Sequence, residues 1–179
     1  MTVLNFWRHK PAVPAGGRRI LVPFTGGELD PVVLDAATRI AKLEDATLVP
    51  AYLIVTPLKY RLETPPQHEV AVAMPLLEAV EHAALRAGIP VDARIEKGRT
   101  PTHALQRIWE AERFDRVIAP APPAHGGGFT PKDLAWILTN SPVETLVLRP
   151  APDGAEPVRQ LDAGPEKAPG RPRARTGSA

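Results

Sequence analysis

The sequence predicts an α/β domain in which helices cover both faces of a single parallel sheet. Short apolar segments alternate with segments of helical periodicity in the order β-α-β-α-β-α-β-α-β. Connections of helix length are what parallel neighbouring strands require, so the alternation favours a doubly wound sheet of five strands. Three of the predicted helices also begin alike, with a capping residue followed directly by proline.

The first half of the domain shows this pattern most clearly. A buried strand is expected over 19–24, followed by a turn at Thr25–Gly27 and a helix capped by Asp30. A second apolar strand is expected over 46–55, although Pro50 counts against an unbroken central strand because proline has no N–H. The residues expected on the buried face of the first helix are Val33, Ala36, Ala37, Ile40 and Ala41.

In the second half, a helix is expected over 70–87, with either a kink or its true start at Pro75, and Gly88 closes it. The alternating segment 90–96 is typical of a strand near the edge of a sheet. The remaining elements are a helix from Thr100-Pro101, a strand over 115–119, a loop over 120–129, a helix from Thr130-Pro131 and a last strand over 144–149. The residues expected inside are Leu105, Ile108 and Trp109 in the first of these helices, and Leu134, Ile137 and Leu138 in the second, with Trp136 also packing into the core.

Composition limits the size of the fold and its chemistry. The chain has 179 residues, 44% hydrophobic and 23% charged, which suits one domain with extensions. The absence of cysteine excludes disulfides and Cys-ligated metal sites. The two serines lie in an Asn-Ser-Pro turn and near the C-terminus, at Ser141 and Ser178, which argues against a serine nucleophile. No carboxylate pair has a spacing typical of acid/base catalysis, so a small hydrolase or nucleotidyl transferase is the weakest interpretation.

The charge distribution argues against a nucleic-acid-binding domain. The net charge is +2, but residues 18–150 hold 15 basic and 16 acidic residues, a net of −1. A nucleic-acid-binding domain would carry its cations on the folded face. No apolar run is long enough to span a membrane. The segment Met1–Lys10 does not resemble a signal peptide because its basic residues follow its apolar ones, and we therefore expect a cytoplasmic protein.

Three regions are expected along the chain. Residues 1–17 form an N-terminal extension and linker, and residues 18–150 form the α/β domain. Residues 151–179 are rich in proline and arginine and poor in large apolar side chains, so we expect them to be disordered.

The helix starts indicate where a ligand would bind. In a parallel sheet the starts at Asp30, Thr100 and Thr130 lie at the carboxyl edge, where free N–H groups and positive helix ends favour an anion. Such caps also stabilise helices by about 1 kcal/mol each without any ligand, and this explanation is the simpler one.

A possible anion site combines a glycine-rich loop with the start of the last helix. Glycine backbone, a hydroxyl and a lysine are the components of an anion-binding nest, although three consecutive glycines are also typical of a flexible loop. Arg99 is expected to face the same crevice, and His103 could contact a ligand. The candidate residues are Thr25, Gly26, Gly27, Gly126, Gly127, Gly128, Thr130 and Lys132.

The order of several short motifs resembles the universal stress protein family over residues 18–149. The motifs are Ile20-Leu-Val-Pro23, Ala46-Thr-Leu48, Glu96-Lys-Gly98, Asp115-Arg-Val-Ile118, and Ser141-Pro142 before Thr145-Leu-Val-Leu148. The resemblance implies a sheet of order 3-2-1-4-5 and a homodimer formed through the last strand. One branch of that family binds ATP.

The chain departs from the ATP-binding branch at four positions. Thr25 stands where that branch has Asp at the end of the first strand, and Pro120 and Pro123 stand where it has two glycines. Where the ATP-binding branch has its last glycine, followed by Ser or Thr, this chain has Pro131-Lys132. Proline offers no N–H and adds a ring, so the usual triphosphate cradle is expected to be absent.

Two functions therefore compete with the hydrolase interpretation. One is a non-catalytic regulatory module, dimeric through 144–149, with a protein client or a membrane transporter as partner, no nucleic acid partner, and no cofactor. The other is a sensor that binds an adenine nucleotide or another anion at Gly126–Lys132.

Overall fold

The computed structural model describes residues 17–26, 29–62, 67–121 and 128–150. They form five parallel strands in the order β3-β2-β1-β4-β5 with four intervening helices, which confirms the predicted fold class and strand order. The elements are β1 Arg19–Phe24, α1 Pro31–Leu43, β2 Thr47–Val55, α2 Gln67–Arg86, β3 Arg94–Gly98, α3 Pro101–Ala111, β4 Arg116–Pro120, α4 Pro131–Asn140 and β5 Glu144–Leu148. The expected extensions, residues 1–16 and 151–179, lie outside the described residues, as does most of the expected loop 120–129.

The core has two layers, one on each face of the sheet. Alternate residues of β1 divide between them: Ile20 packs with α1 and α2, whereas Leu21 packs with α3 and α4. Both residues are fully buried. The helices α1 and α2 therefore cover one face, and α3 and α4 the other, as the doubly wound pattern predicts.

Pro50 does not interrupt β2, contrary to expectation. Leu48 donates to the Pro90 carbonyl and accepts from the Asp92 N–H (2.9 Å each), so even-numbered positions of β2 face β3. The nitrogen of Pro50 faces the same side, but there the neighbouring segment pairs only through a bridge at Val91 before β3 begins at Arg94. The missing N–H therefore falls at a gap in the β2–β3 ladder, which explains why proline is tolerated in a central strand.

Because of the same gap, the third strand begins later than predicted. The regular strand covers Arg94–Gly98 and not 90–96, although it does lie at an edge of the sheet. The second helix also begins earlier than expected, at Gln67, so Pro75 is not its start but an exposed position inside it. Gly88 closes the helix at φ 73°, as predicted.

Leu138 is the one interior position of α4 that sequence periodicity assigned wrongly. It is 58% exposed, whereas Ile137 is fully buried and Leu134 is half-buried. The helix lies along β5 at the edge of the sheet, and no further described element covers its outer side.

The amino edge of the sheet carries two groups of ion pairs. In the first, Arg19 binds Asp92 (3.0 Å) and Glu112 (2.8 Å), and Arg94 binds the same two carboxylates. Burial pushes the pKa of Glu112 upward, but hydrogen bonds and charges from Arg94 and Arg19 outweigh it, so the pKa lies below its ordinary value.

The second group joins α1, β4 and β5. Arg116 binds Glu44 and Glu144, and Glu44 also accepts from Arg18 (3.1 Å). The hydrogen bond from Arg116 to Glu144 raises the pKa of the guanidinium, against the opposing effect of burial. These two groups are called the amino-edge ion pairs below.

Candidate functional site

The carboxyl edge of the sheet collects the three capped helix starts, as the sequence predicts. Asp30 accepts from the Val32 N–H (2.7 Å), Thr100 from the His103 N–H (3.1 Å) and Thr130 from the Asp133 N–H (3.2 Å). Each cap is followed by proline in the first helical turn. The three side chains thus satisfy N–H groups that would otherwise be free for an anion.

Thr25 lies immediately after β1 and is tied to the neighbouring strand. Its hydroxyl donates to the Leu53 carbonyl at 3.0 Å, and the side chain is half-buried. Gly26 follows at φ 84°, in the left-handed region that favours glycine. Gly27, the third residue of this candidate turn, lies outside the described residues.

The start of α4 is closed by a reciprocal capping box. The Asp133 carboxylate accepts from the Thr130 N–H (2.9 Å) and the Thr130 hydroxyl (2.7 Å), while the Asp133 N–H donates back to that hydroxyl. This carboxylate already supplies the negative charge that the helix end favours. An external anion would have to displace it or bind beside it.

The other candidate residues around α4 are only partly described. Lys132 is exposed in the first turn, and Gly128 has a φ of 120°. Gly126 and Gly127 lie outside the described residues. The proposed grouping of these residues into one anion site therefore stays a prediction.

Arg99 is bonded to the loop after β2 through one nitrogen of its guanidinium. Its Nη1 donates to the carbonyls of Thr56 (3.1 Å), Pro57 (2.8 Å) and Tyr60 (3.0 Å). The guanidinium thereby holds the loop after β2 in one conformation, and this nitrogen is not left facing the crevice. His103 is similarly engaged, because its Nδ1 accepts from the Arg99 N–H at 3.2 Å.

Two residues of this edge were not found as site candidates from the sequence. Thr56 is fully buried, yet its hydroxyl has no hydrogen-bond partner among the described residues. A buried hydroxyl without a partner is uncommon in proteins. The only available signal was a threonine directly after a long apolar strand, which does not distinguish a paired hydroxyl from an unpaired one.

Gly98 is the second such residue, and it brings α3 close to β3. A Cβ at this position would lie 2.4 Å from the Ala104 nitrogen and 2.7 Å from the Thr100 carbonyl oxygen. Only glycine allows this approach, which seats the α3 start against the end of β3. Gly98 belongs to one of the family-like motifs, but its crowding is visible only in the structure.

The described residues hold no cluster of three or more potential metal ligands. Glu78 and His82 are both exposed on α2, and no third potential ligand from the described part of the chain joins them. No helix within the described ranges is long and apolar enough to cross a membrane.

The two tryptophans pack between α3 and α4, as expected. The Trp109 and Trp136 rings are stacked with centroids 5.7 Å apart and planes 8° apart. Both pack against the core layer under α3 and α4. The buried Trp109 Nε1 has no hydrogen-bond partner among the described residues.

Comparison with known proteins agrees with this architecture. The sequence profile of the universal stress protein family matches residues 17–128. A search of curated proteins returns no significant match.

Several solved structures share the fold. One is a universal stress protein from Archaeoglobus fulgidus, with TM-score 0.57 and 10% identity, over 73% of this chain and 97% of that one. Another is a universal stress protein in complex with cAMP, with TM-score 0.54 and 18% identity, over 75% and 98%. A third, from Arabidopsis thaliana with AMP bound, has TM-score 0.53 and 13% identity, over 76% and 94%. With the profile match covering more than half of its length, the chain belongs to the universal stress protein family.

Proposed function

We propose that this protein is a non-catalytic regulatory module that acts through protein contacts as a homodimer. The observation that carries the proposal is that several polar side chains of the carboxyl edge already bond to groups of the domain itself. Thr25 donates to Leu53, Thr130 exchanges hydrogen bonds with Asp133, and Arg99 holds the loop after β2. The donors used in these hydrogen bonds are not free to bind a nucleotide.

The backbone at the end of β4 supports the same proposal. Pro120 is the last residue of the strand, opposite Leu148 of β5. A proline there provides no N–H for a phosphate and fills space with its ring. Pro123, the second proline in the altered motif, lies outside the described residues.

The proposed dimer contact is the free edge of β5 together with α4. One side of β5 has no strand partner among the described residues, and such an edge is prone to pair with another chain. Val147 on this strand is 36% exposed and Leu138 on α4 is 58% exposed. Two copies related by a twofold axis would cover both apolar side chains and extend the sheet.

Light scattering after gel filtration tests the dimer. Val147→Glu places a charge on the proposed contact and should shift the mass from dimer to monomer at micromolar concentration. Val72→Glu alters a side chain of similar exposure (44%) on α2 and should leave the dimer intact. A monomeric wild-type protein, or a Val147→Glu variant that stays dimeric, would contradict the proposed interface.

Thermal melting with added ligands tests the expectation that the protein does not bind nucleotides. ATP, AMP, cyclic AMP and phosphate should each move the melting temperature by less than about 1 °C at millimolar concentration, because a ligand that binds only the folded state would raise it. A saturable rise of several degrees with any of them would favour the second candidate function.

The second candidate is a sensor for an adenine nucleotide or another anion. The unpartnered, fully buried Thr56 hydroxyl favours it, because such a group near the carboxyl edge suits a polar ligand. Two proteins of similar fold have been solved with cAMP and with AMP. The site would comprise Thr25, Gly26, Gly27, Gly126, Gly127, Gly128, Thr130 and Lys132.

The substitution Asp133→Asn, at the start of α4, distinguishes the two candidate functions. Removing the carboxylate weakens the internal competitor for an anion, so a sensor should gain phosphate affinity, whereas a pure interaction module should show no phosphate response in either form. Asp35→Asn, an exposed acid on α1, is the matched control.

The proposal includes a cytoplasmic location and a protein client or membrane transporter as the partner of the dimer. Affinity capture with the wild-type dimer and with the Val147→Glu variant would show whether any client depends on the dimeric state.

A further inference from the structure

The starts of α3 and α4 are capped in a similar reciprocal way, with a different third residue of the helix. At α4, the Asp133 N–H donates to the Thr130 hydroxyl, and the Asp133 carboxylate accepts from the Thr130 N–H (2.9 Å). At α3, the His103 N–H donates to the Thr100 hydroxyl (3.1 Å), and the His103 Nδ1 accepts from the N–H of Arg99, the residue before the cap (3.2 Å). An imidazole therefore does at α3 what a carboxylate does at α4.

The two acceptors respond differently to pH. Between about pH 5 and pH 8 a free imidazole gains or loses its charge, whereas carboxylates normally stay ionised. Nδ1 of His103 accepts from Arg99 only while it carries no proton, so the neutral ring holds its one proton on Nε2. A second proton binds at Nδ1 and converts it into a donor. Protonation of the ring and the bond to Arg99 therefore exclude each other.

The charged groups around α3 do not compensate a protonated ring. No ion pair joins His103 to a carboxylate among the described residues, and the carboxylates of α3 and of the elements packed against it are engaged elsewhere. Glu96 binds Arg107 (3.1 Å), Glu110 accepts from Gln106 (2.9 Å), and Asp133 caps α4. Tyr52 of β2 packs into the core layer on the other face of the sheet.

The other charged groups on these elements are cations, and so is the positive end of the helix dipole. They are Arg94 and Lys97 on β3 and Lys132 on α4, and the loop after β2 adds Lys59 and Arg61. A positive charge near the start of a helix is unfavourable, because the free N–H groups there already carry partial positive charge. A protonated ring at this position should therefore weaken the α3 start.

Arg99 connects the ring to the loop after β2. Its backbone N–H is bonded to His103, and its Nη1 donates to the carbonyls of Thr56 (3.1 Å), Pro57 (2.8 Å) and Tyr60 (3.0 Å). The Tyr60 N–H closes the turn by donating to the Pro57 carbonyl at 3.0 Å. Loss of the bond to His103 frees the backbone of Arg99, and with it the position of the guanidinium that holds the loop.

We propose that His103 is a pH-sensitive switch, whose neutral ring keeps Arg99 bonded to the loop after β2 and whose protonated ring releases that loop. Acidification then changes the conformation of the carboxyl edge at residues 57–60, while the carboxylate-closed start of α4 is unaffected. The switch needs neither the proposed dimer nor a bound nucleotide, so it stands or falls independently of the proposed function.

Amide exchange at Tyr60, measured by NMR at about pH 7.5 and about pH 5, tests the switch. Each rate is compared with the intrinsic rate of an exposed amide at the same pH. The protection of Tyr60 should fall about 2- to 10-fold at the lower pH, the range expected for the loss of one hydrogen bond. The midpoint of this fall should coincide with the titration of the His103 ring, and the buried amide of Leu48 should keep its protection.

Equal protection of Tyr60 at the two pH values would overturn the proposal. It would also be overturned by a midpoint that differs from the titration of the His103 ring, or by an equal fall at Leu48. The melting temperature should change little through the release, because the switch acts on one loop.

Three variants separate the role of His103 from a general effect of pH. His103→Asn keeps an acceptor that does not titrate, so the protection of Tyr60 should become independent of pH. His103→Leu removes the acceptor and should leave Tyr60 weakly protected at both pH values. His82→Asn alters an exposed histidine on α2 and should keep the wild-type response. A wild-type pH response in His103→Asn, or wild-type protection of His103→Leu at about pH 7.5, would overturn the proposal.

Discussion

The two edges of the sheet are held by different physical means. At the amino edge, charged side chains from elements far apart in sequence pair with one another: Arg19 with Asp92 and Glu112, and Arg116 with Glu44. At the carboxyl edge, most bonds involve hydroxyls and backbone groups, either within one helical turn, as in the capping box at Thr130, or to a backbone carbonyl, as from Thr25 to Leu53. The comparison predicts that the amino edge responds to pH and salt, and that the carboxyl edge responds to changes in shape and capping.

The largest expected effect is at the carboxyl edge, from Gly98→Ala. The added Cβ would lie 2.4 Å from a backbone nitrogen of α3, so the helix start has to move. We expect destabilisation of about 2–3 kcal/mol, measured by urea unfolding. The control is Gly17→Ala, where a Cβ meets nothing within 4 Å, and its effect should stay within about 0.5 kcal/mol. Equal effects at the two glycines would show that the close approach of α3 to β3 is not required.

The next effect concerns the capping box of α4. Thr130→Ala removes the acceptor for the Asp133 N–H and should cost about 1 kcal/mol. Asp133→Ala should lower the free energy of unfolding by a similar amount. The double variant should lose less stability than the sum of the two single variants, because the two side chains cap the helix reciprocally. Strict additivity in urea unfolding would argue against a coupled cap.

A smaller, pH-dependent effect is expected at the amino edge from Glu112→Gln. Because the folded pKa of Glu112 lies below its ordinary value of 4.5, its ionised form stabilises the fold above that pH. This stability is lost as the pH falls through the folded pKa. We expect the variant to lose less stability than the wild type between pH 7 and pH 3.

The readout is the melting temperature across this pH range, at low and high salt. Glu78→Gln removes a carboxylate outside the amino-edge ion pairs and should keep the wild-type profile. If the melting temperature of Glu112→Gln changes with pH in parallel with that of the wild type, the proposed difference between the two edges is contradicted.

The smallest effect on global stability is expected from Arg99→Met. The substitution keeps an aliphatic side chain but removes the donor shared by three carbonyls of the loop after β2. We expect faster amide exchange at Tyr60, whose N–H donates to Pro57, with little change in the melting temperature. Unchanged exchange at Tyr60 would show that the loop holds its conformation without the arginine.

Much of the fold follows from local sequence patterns. Asp30-Pro31, Thr100-Pro101 and Thr130-Pro131 each place a helix start correctly, because capping depends on residues within one turn. Apolar segments identify the strands for the same reason, since the periodicity of a strand is a property of neighbouring residues. The order of the strands required the family resemblance, because local patterns do not determine which strands are neighbours.

The parts that sequence reasoning missed depend on residues distant in the chain. Pro50 is tolerated because of a gap in the neighbouring strand, and Leu138 is exposed because no described element covers α4 at the sheet edge. The position of Arg99 near the crevice was expected, but its three carbonyl partners lie about 40 residues earlier.

The sequence by itself determined the type and succession of elements and the helix caps, since each depends on residues that are adjacent in the chain. Only the tertiary structure decided which charges pair across the amino edge, which polar groups of the carboxyl edge are already satisfied, and that the Thr56 hydroxyl is not. The physical reason is that hydrogen bonds and ion pairs need distances of about 3 Å, and only the packed sheet brings such groups together.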